Sequence, residues 1–411
     1  MNFHDLRVNA DRLHASIEEM AQIGVTNNGG VTRLALSEED RRARDLLKQW
    51  MIDAGMSVKI DDFGNMTGRR EGTAPLAPAM TGSHLDSVRR GGKWDGALGV
   101  LGPLEIVRLL NEHDIQTARP IEIVNFTSEE GSRFEPAMIA SGAVAGVFSR
   151  EFVHSRVDQN GVSFGDALQQ IGYAGEAENR PLHAAAFIEL HNEQNPLLDD
   201  ADLPVGIVEG IRGITWWNVA VTGESDNGPT PMTHRRDALA AAAEIVVGVR
   251  EIAQQTGDGA TGLVGRLRNE PDLVNVIPSK VVFSVDFRHQ ELRVIDQMIG
   301  QLHELIDTVK ERHGVEIEAE QLWLSEPTPF DSTVVQAVED ACQSSGIPAM
   351  RLWSGPGHDA KYMQAVCPSA MIFVRSHRGK SHSEDEFSAP DDVEASVNAL
   401  LHSVLAIASQ P

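Results

Sequence analysis

The segment TGSHLDSVRRGGKWDGALGV sets His84 and Asp86 directly after an apolar run and follows them with Asp95 in a glycine-flanked turn. Neutral imidazole and carboxylate are the ligands that zinc and similar ions take. Asp86, two residues beyond His84, is placed to accept the other ring proton and orient the imidazole. By itself such an HxD pair is as readily a surface loop holding one satisfied histidine. The next apolar run, IEIVNF, ends in TSEEG, so Glu129 and Glu130 also leave a strand end. Adjacent side chains there point in different directions, which lets one carboxylate bind metal while its neighbour moves protons. A third run, AAFIELHNEQNP, delivers His191, and a fourth, MIFVRSHRGKSH, is followed by His382. A lone histidine after a strand is usually structural, and an EE pair is usually solvated. The agreement of four strand ends carries the inference: His84, Asp95, Glu130, His191 and His382 supply two metal ions with a shared bridging carboxylate. Paired ions activate a water and polarise a carbonyl, and one free carboxylate must then take the water's proton. Glu129 fits that role.

Such a site needs a scaffold, and open α/β sheets hold their ligands at the carboxyl ends of the strands. The chain alternates accordingly, with apolar runs at Ala79 to Ser83, Ile121 to Phe126 and Ala184 to Leu190 and a helical pattern at Val100 to Leu110. Two helices precede them, one spaced by Leu13, Ile17, Met20 and Ile23, the other from Glu38 to Ala54 behind Ser37 as N-cap. From Gly213 the character changes to two strand-helix units: Trp217, Val219 and Val221 alternate, a helix runs from Arg235 to Gln255, a strand from Lys280 to Arg288, and a helix from Leu292 to Arg312. Near Glu326 the chain returns, with a helix at Ser332 to Ser345 and a strand at Met371 to Val374. At 411 residues, two domains are expected. The fold expected is α/β, a central, mostly parallel sheet flanked by helices and carrying the metal site over 1–211 and 328–411. A smaller α+β domain is inserted at 212–327.

Composition narrows the partners. A formal net charge of −25 repels phosphate backbones and anionic headgroups, which argues against nucleic acid and membrane. No apolar run approaches the roughly 20 residues needed to cross a bilayer. Cys342 and Cys367 are the two cysteines, too few for a disulfide framework and in keeping with a reducing compartment. The charged opening MNFHDLRVNADRLHASIEEM lacks the apolar stretch of a signal peptide, so a cytoplasmic location is expected.

In order along the chain, GSHLDSV with GGKWDGALGV, FTSEEGSRF, ELHNEQNP, PTPMTHRRDAL, NVIPS with VDFRH, SGPGHDA and SHSEDEFS resemble the motifs of the hydantoinase/carbamoylase branch of the aminoacylase-like dinuclear zinc hydrolases. The resemblance covers nearly the whole chain. It implies one metal held by His84, Asp95 and His191, another by Asp95, Glu130 and His382, and Glu129 as general acid/base. It further implies Gln194, Asn275 and Arg288 as substrate-binding residues, with Arg288 clamping a substrate carboxylate, and His358 near the site. It also implies a homodimer whose inserted domain serves as lid and dimerisation surface. Two divalent ions are the expected cofactors, zinc first, with manganese, cobalt or nickel as alternatives. The expected substrate is a small carboxylate-bearing molecule, an N-carbamoyl L-amino acid or related ureido acid, cleaved to ammonia and carbon dioxide.

Two departures stand out. Before PTPM the family carries a G-x-A-x-H-A-G pattern whose His reaches the reacting carbonyl, whereas this chain reads GESDNGPTPM with Asn227 in that place. An Asn can still donate a hydrogen bond to an oxyanion. The alternatives are that the nearby His234 substitutes or that the substrate differs; His234 is expected at an exposed position on a helix beginning near Met232. Asn195 stands where the family has Gly. The same motifs serve allantoate amidohydrolases and beta-ureidopropionases, and the same metal chemistry serves aminoacylases and dipeptidases. The missing His leaves open a binding protein on the same scaffold without catalysis.

Overall fold

The computed structural model describes residues 5–257 and 259–410. They divide into two compact units, one running to Gly210 and resuming at Pro329, the other spanning Ile211–Thr328. The first unit opens with helices Ala10–Ala21 and Glu38–Asp53, capped by the side chains of Asn9 and Ser37. Strands β1 (Ser57–Ile60), β2 (Met66–Arg70), β3 (Ala79–His84), β4 (Ile121–Phe126), β5 (Ala186–Asn192) and β6 (Val205–Ile211) follow. The second unit contributes β7 (Gly213–Thr222), β8 (Asp226–Asn227), β9 (Thr261–Leu263), β10 (Leu267–Glu270), β11 (Val276–Ile277), β12 (Lys280–His289) and β13 (Glu316–Ser325). The chain then returns through β14 (Thr328–Pro329), β15 (Ala349–Ser354) and β16 (Ser369–Val374).

In the first unit the sheet order is β1-β2-β4-β3-β5-β16-β6-β14, with β15 also on β6. The four central strands β4, β3, β5 and β16 are parallel, and β1, β2 and β6 join antiparallel. The parallel arrangement expected from the sequence thus describes the centre of a mixed sheet. Central strands buried on both faces read as largely apolar runs, and β3, β5 and β16 are buried along their full length. Helices Ala97–Glu112, Ser332–Ser344 and Pro390–Ala408 pack on these strands.

The second unit is an antiparallel sheet, β10-β12-β7-β13 with β9 on β12, covered by helices Ala238–Thr256 and Leu292–His313. Strand β12 alternates strictly between buried and less buried positions, as a half-covered strand should. Its inward Val281, Phe283, Val285 and Phe287 meet Ile245, Val249, Met298 and Leu302 of the helices. Trp217 joins this core, while Trp216 stays 43 % exposed. The first helix starts later than expected because Asp237 caps it, accepting the amides of Leu239 and Ala240. Met232–His234 forms only a single 3-10 turn, and His234 is exposed. Among the described residues, no helix is long and apolar enough to cross a membrane.

Candidate metal centre

Strand register explains why the candidate ligands meet. His84 ends β3 level with Phe126, the last residue of β4, and His191 of β5 lies opposite Phe373 of β16. Strands β3 and β5 pair from Ala79 with Ala186 onward, a register that carries His84 level with His191. Asp95 stands just before the helix Ala97–Glu112. Between them Gly96 takes a φ of 64°, and a Cβ there would lie 2.4 Å from the His84 imidazole, so only glycine fits. Beyond β4, Ser128 turns through a φ of 57° and presents Glu129 and Glu130. His382 comes from a loop past β16 with a φ of 52°.

The carboxylate of Asp95 divides two clusters. Its Oδ1 lies 3.2 Å from His191 Nε2 and 3.8 Å from His84 Nε2, while its Oδ2 lies 3.3 Å from His382 Nε2. Glu130 Oε2 is 3.4 Å from His382 Nε2, and Glu129 Oε2 is 3.6 Å from His84 Nε2. Adjacent glutamates therefore face different clusters. In each of the groups His84, Asp95, His191 and Asp95, Glu130, His382, the potential ligand atoms lie within 4.8 Å of one another. This is the donor set that zinc and similar ions take, and the two oxygens of Asp95 face one cluster each. A third group, Glu189, His191 and His358, is equally close, but both oxygens of Glu189 already accept hydrogen bonds, from Ser83 Oγ and the Ala360 amide.

Electrostatics point the same way. Burial, then the negative charges of Asp359, Glu130, Asp86 and Asp95, holds Glu129 well above the usual carboxylate range. Glu130 is raised by burial and by Asp95 and Asp86. Burial opposes ionisation of Asp95 too, yet the hydrogen bonds of His191 and His382 and the charge of His191 outweigh it and hold Asp95 well below its ordinary value. His84 is pushed down to about 4 by burial and is neutral, the form that binds a metal. So many buried acids in one place are what a divalent cation offsets.

Asp86 corrects the sequence reading. The ring Nδ1 of His84 meets the backbone carbonyl of Asp86 at 2.9 Å, while the carboxylate lies 3.9 Å away. That carboxylate instead accepts the amides of Glu129 and Glu130, at 3.2 and 3.3 Å, and so shapes the loop that presents both glutamates. Gln194 does reach the centre, its amide donating to Asp95 Oδ2 at 3.1 Å. The ring of His358 is 4.3 Å from that of His191, and its buried Nε2 has no hydrogen-bond partner among the described residues. Asn227, Asn275 and Arg288 belong to the second unit. Asn227 on β8 and Asn275 just before β11 are both exposed and adjacent, the amide of Gly228 donating to the Asn275 carbonyl. Arg288 is forked onto Asp286 at 3.0 and 2.9 Å, and Trp216 Nε1 donates to the same carboxylate. Sequence reasoning missed Glu189 and Glu386; an acid inside the apolar run AFIEL was the available signal for the first.

The pattern expected of this geometry is found along the chain. Residues 80–406 match the model of peptidase family M20/M25/M40. The chain belongs to that family. Within it, the N-carbamoyl-L-amino acid amidohydrolase of Geobacillus stearothermophilus is 41 % identical, the match covering 98 % of this chain and 99 % of the relative. The allantoate amidohydrolase of Bacillus subtilis is 34 % identical over 93 % of this chain and 94 % of the relative. Among solved structures, a hydantoinase/carbamoylase family amidase from Burkholderia multivorans superimposes with a TM-score of 0.95 at 43 % identity, covering 98 % of this chain and 99 % of that one. The resemblance read from the motifs and the M20 match thus agree.

Proposed function

We propose that this protein hydrolyses the C–N bond of an N-carbamoyl L-amino acid, releasing ammonia, carbon dioxide and the free amino acid. One observation carries the reading: two ligand clusters meet on Asp95 with Glu129 beside them, in a chain similar end to end to an amidohydrolase of that name. His84, Asp95 and His191 would hold one divalent ion and Asp95, Glu130 and His382 the other, zinc first among the metals such donors accept. When bound, paired ions acidify a water and polarise the carbonyl under attack. Glu129 removes the proton of the attacking water and returns it to the departing nitrogen, general acid/base work for which a raised carboxyl is suited. His358, kept neutral by burial, offers an unpaired ring nitrogen to the substrate. Gln194 lines the centre, and Asn227 and Asn275 supply amides for substrate polar groups. Arg288 binds the substrate carboxylate, which must share or displace the bond to Asp286.

The inserted unit also forms the surface of a homodimer. Its edge strand β13 exposes Leu322, Trp323 and Leu324, and an apolar edge of this kind invites pairing. A light-scattering mass of one chain at micromolar concentration would contradict the dimer. The location proposed is cytoplasmic, two cysteines in 411 residues being in keeping with a reducing compartment.

The test is ammonia release by protein loaded in turn with zinc, manganese and cobalt, offered N-carbamoyl L-amino acids, allantoate and β-ureidopropionate. Turnover of carbamoyl amino acids is expected. Preference for allantoate moves the assignment to the activity named for the Bacillus subtilis relative, and silence across the panel with metal bound overturns the proposal.

A further inference from the structure

His382 is the least anchored of the candidate ligands, with its side chain 52 % exposed on a loop, yet it must hold station against the buried Asp95. The same loop carries Glu386, which is only 6 % exposed. Glu386 Oε1 accepts the backbone amides of Asp95 at 3.1 Å and Trp94 at 3.3 Å. Its Oε2 accepts the hydroxyl of Ser381, the neighbour of His382, at 2.8 Å. Ser381 Oγ also lies 3.3 Å from Asp95 Oδ2. The contact is close enough that a Cβ on Gly92 would fall 2.1 Å from Glu386 Oε1. Farther out on the loop, Glu384 accepts from Thr26, Asn28 and Arg90.

We propose that Glu386 is a positioning residue that sets the second metal cluster by tying the loop bearing His382 to the turn bearing Asp95. A carboxylate suits this task because it has two acceptor oxygens and no donor, one for the two amides and the other for the hydroxyl. Charge-assisted bonds of this kind are stronger than neutral ones. With its oxygens committed in this way, Glu386 acts through Asp95 and His382. Glu384 fixes the outer part of the loop, so loss of Glu386 releases chiefly the end that carries His382. Residues behind metal ligands act this way generally, and their loss lowers metal affinity by about 10- to 100-fold.

The inference rests on the two-ion reading, and the test separates the two. Metal-free full-length protein is titrated with cobalt(II), followed by its visible absorption, and with zinc by calorimetry. Wild type should take up two ions in resolved steps; uptake of one ion or none overturns the two-ion reading and this inference with it. Glu386→Ala should weaken the second step by about 10- to 100-fold and the first far less, and Glu386→Gln, which keeps an acceptor for the amides, should recover most of the loss. If Glu386→Ala does not fold, Ser381→Ala cuts the same link while leaving Glu386 on the amides of Trp94 and Asp95, and it too should weaken the second step alone. Two unchanged steps in these variants would overturn the proposal. So would both steps falling together in proportion to the melting temperature of the metal-free protein.

Discussion

The two halves of the candidate metal centre are built differently. In the half formed by His84, Asp95 and His191, the two histidines stand on strand ends in register and Asp95 just before a helix, the three residues between 1 % and 5 % exposed. The half that shares Asp95 with Glu130 and His382 depends on a loop, and its histidine is half in solvent. Sheet register positions the two histidines of the first half, because β3 pairs with β4 along its length and with β5 from Ala79 to Thr81. The second half relies on side-chain bonds that hold the loop. On the two-ion proposal, the first half should bind its ion more tightly and the second should be the one that loads, empties and responds to mutation.

The sharpest way to separate the halves is through the adjacent glutamates. Glu129→Gln should lower kcat by about 100- to 10,000-fold while metal analysis still finds both ions. Glu130→Gln should instead lose the second ion, and excess metal should restore part of its activity. If the two variants behaved alike, the division of labour between these neighbours would be wrong.

A pH series tests the first half. Burial opposes protonation of His191, but the bond to Asp95 and the charges of Asp95 and Glu189 outweigh it, and the imidazole is pushed up to about 9 in the absence of metal. A bound proton competes with the ion there, so affinity at the first step should rise with pH, by about tenfold per unit for one displaced proton, and level off near 9. Titrations at fixed ionic strength that showed no rise between neutrality and that value would count against His191 as a ligand.

The smallest expected effect is that of Gly96→Ala. A methyl group meeting the His84 ring, at a positive φ, should cost about 1–3 kcal/mol of stability and weaken the first step more than the second, read by thermal melting and the same titration. An equal loss at both steps would show that the halves are not independent.

Much of the site was legible because four apolar runs end on metal-binding residue types. Even so, the run read as Ala184 to Leu190 stops short of the strand, which continues through His191 and Asn192 because their backbones pair with Phe373 and Val374. Polarity hides a strand end where a site begins. The antiparallel β6 went unread, its apolar residues interrupted by Gly206 and Gly210. The role of Asp86 was misread since residue types alone do not distinguish a backbone carbonyl from the carboxylate of the same residue. Glu386 was invisible for a related reason: its partners are two amides and a hydroxyl, which leave no pattern in sequence. In the second unit, β12 and the long amphipathic helix Leu292–His313 were read from local signals, whereas the edge strand β13 and the short strands β8 to β11 went unread.

Two ions sharing Asp95 would be visible by anomalous scattering from a crystal of the zinc-loaded protein. Two peaks are expected, the stronger among His84, Asp95 and His191 and the other among Asp95, Glu130 and His382. A single peak, or one seated among Glu189, His191 and His358, would contradict the two-ion proposal.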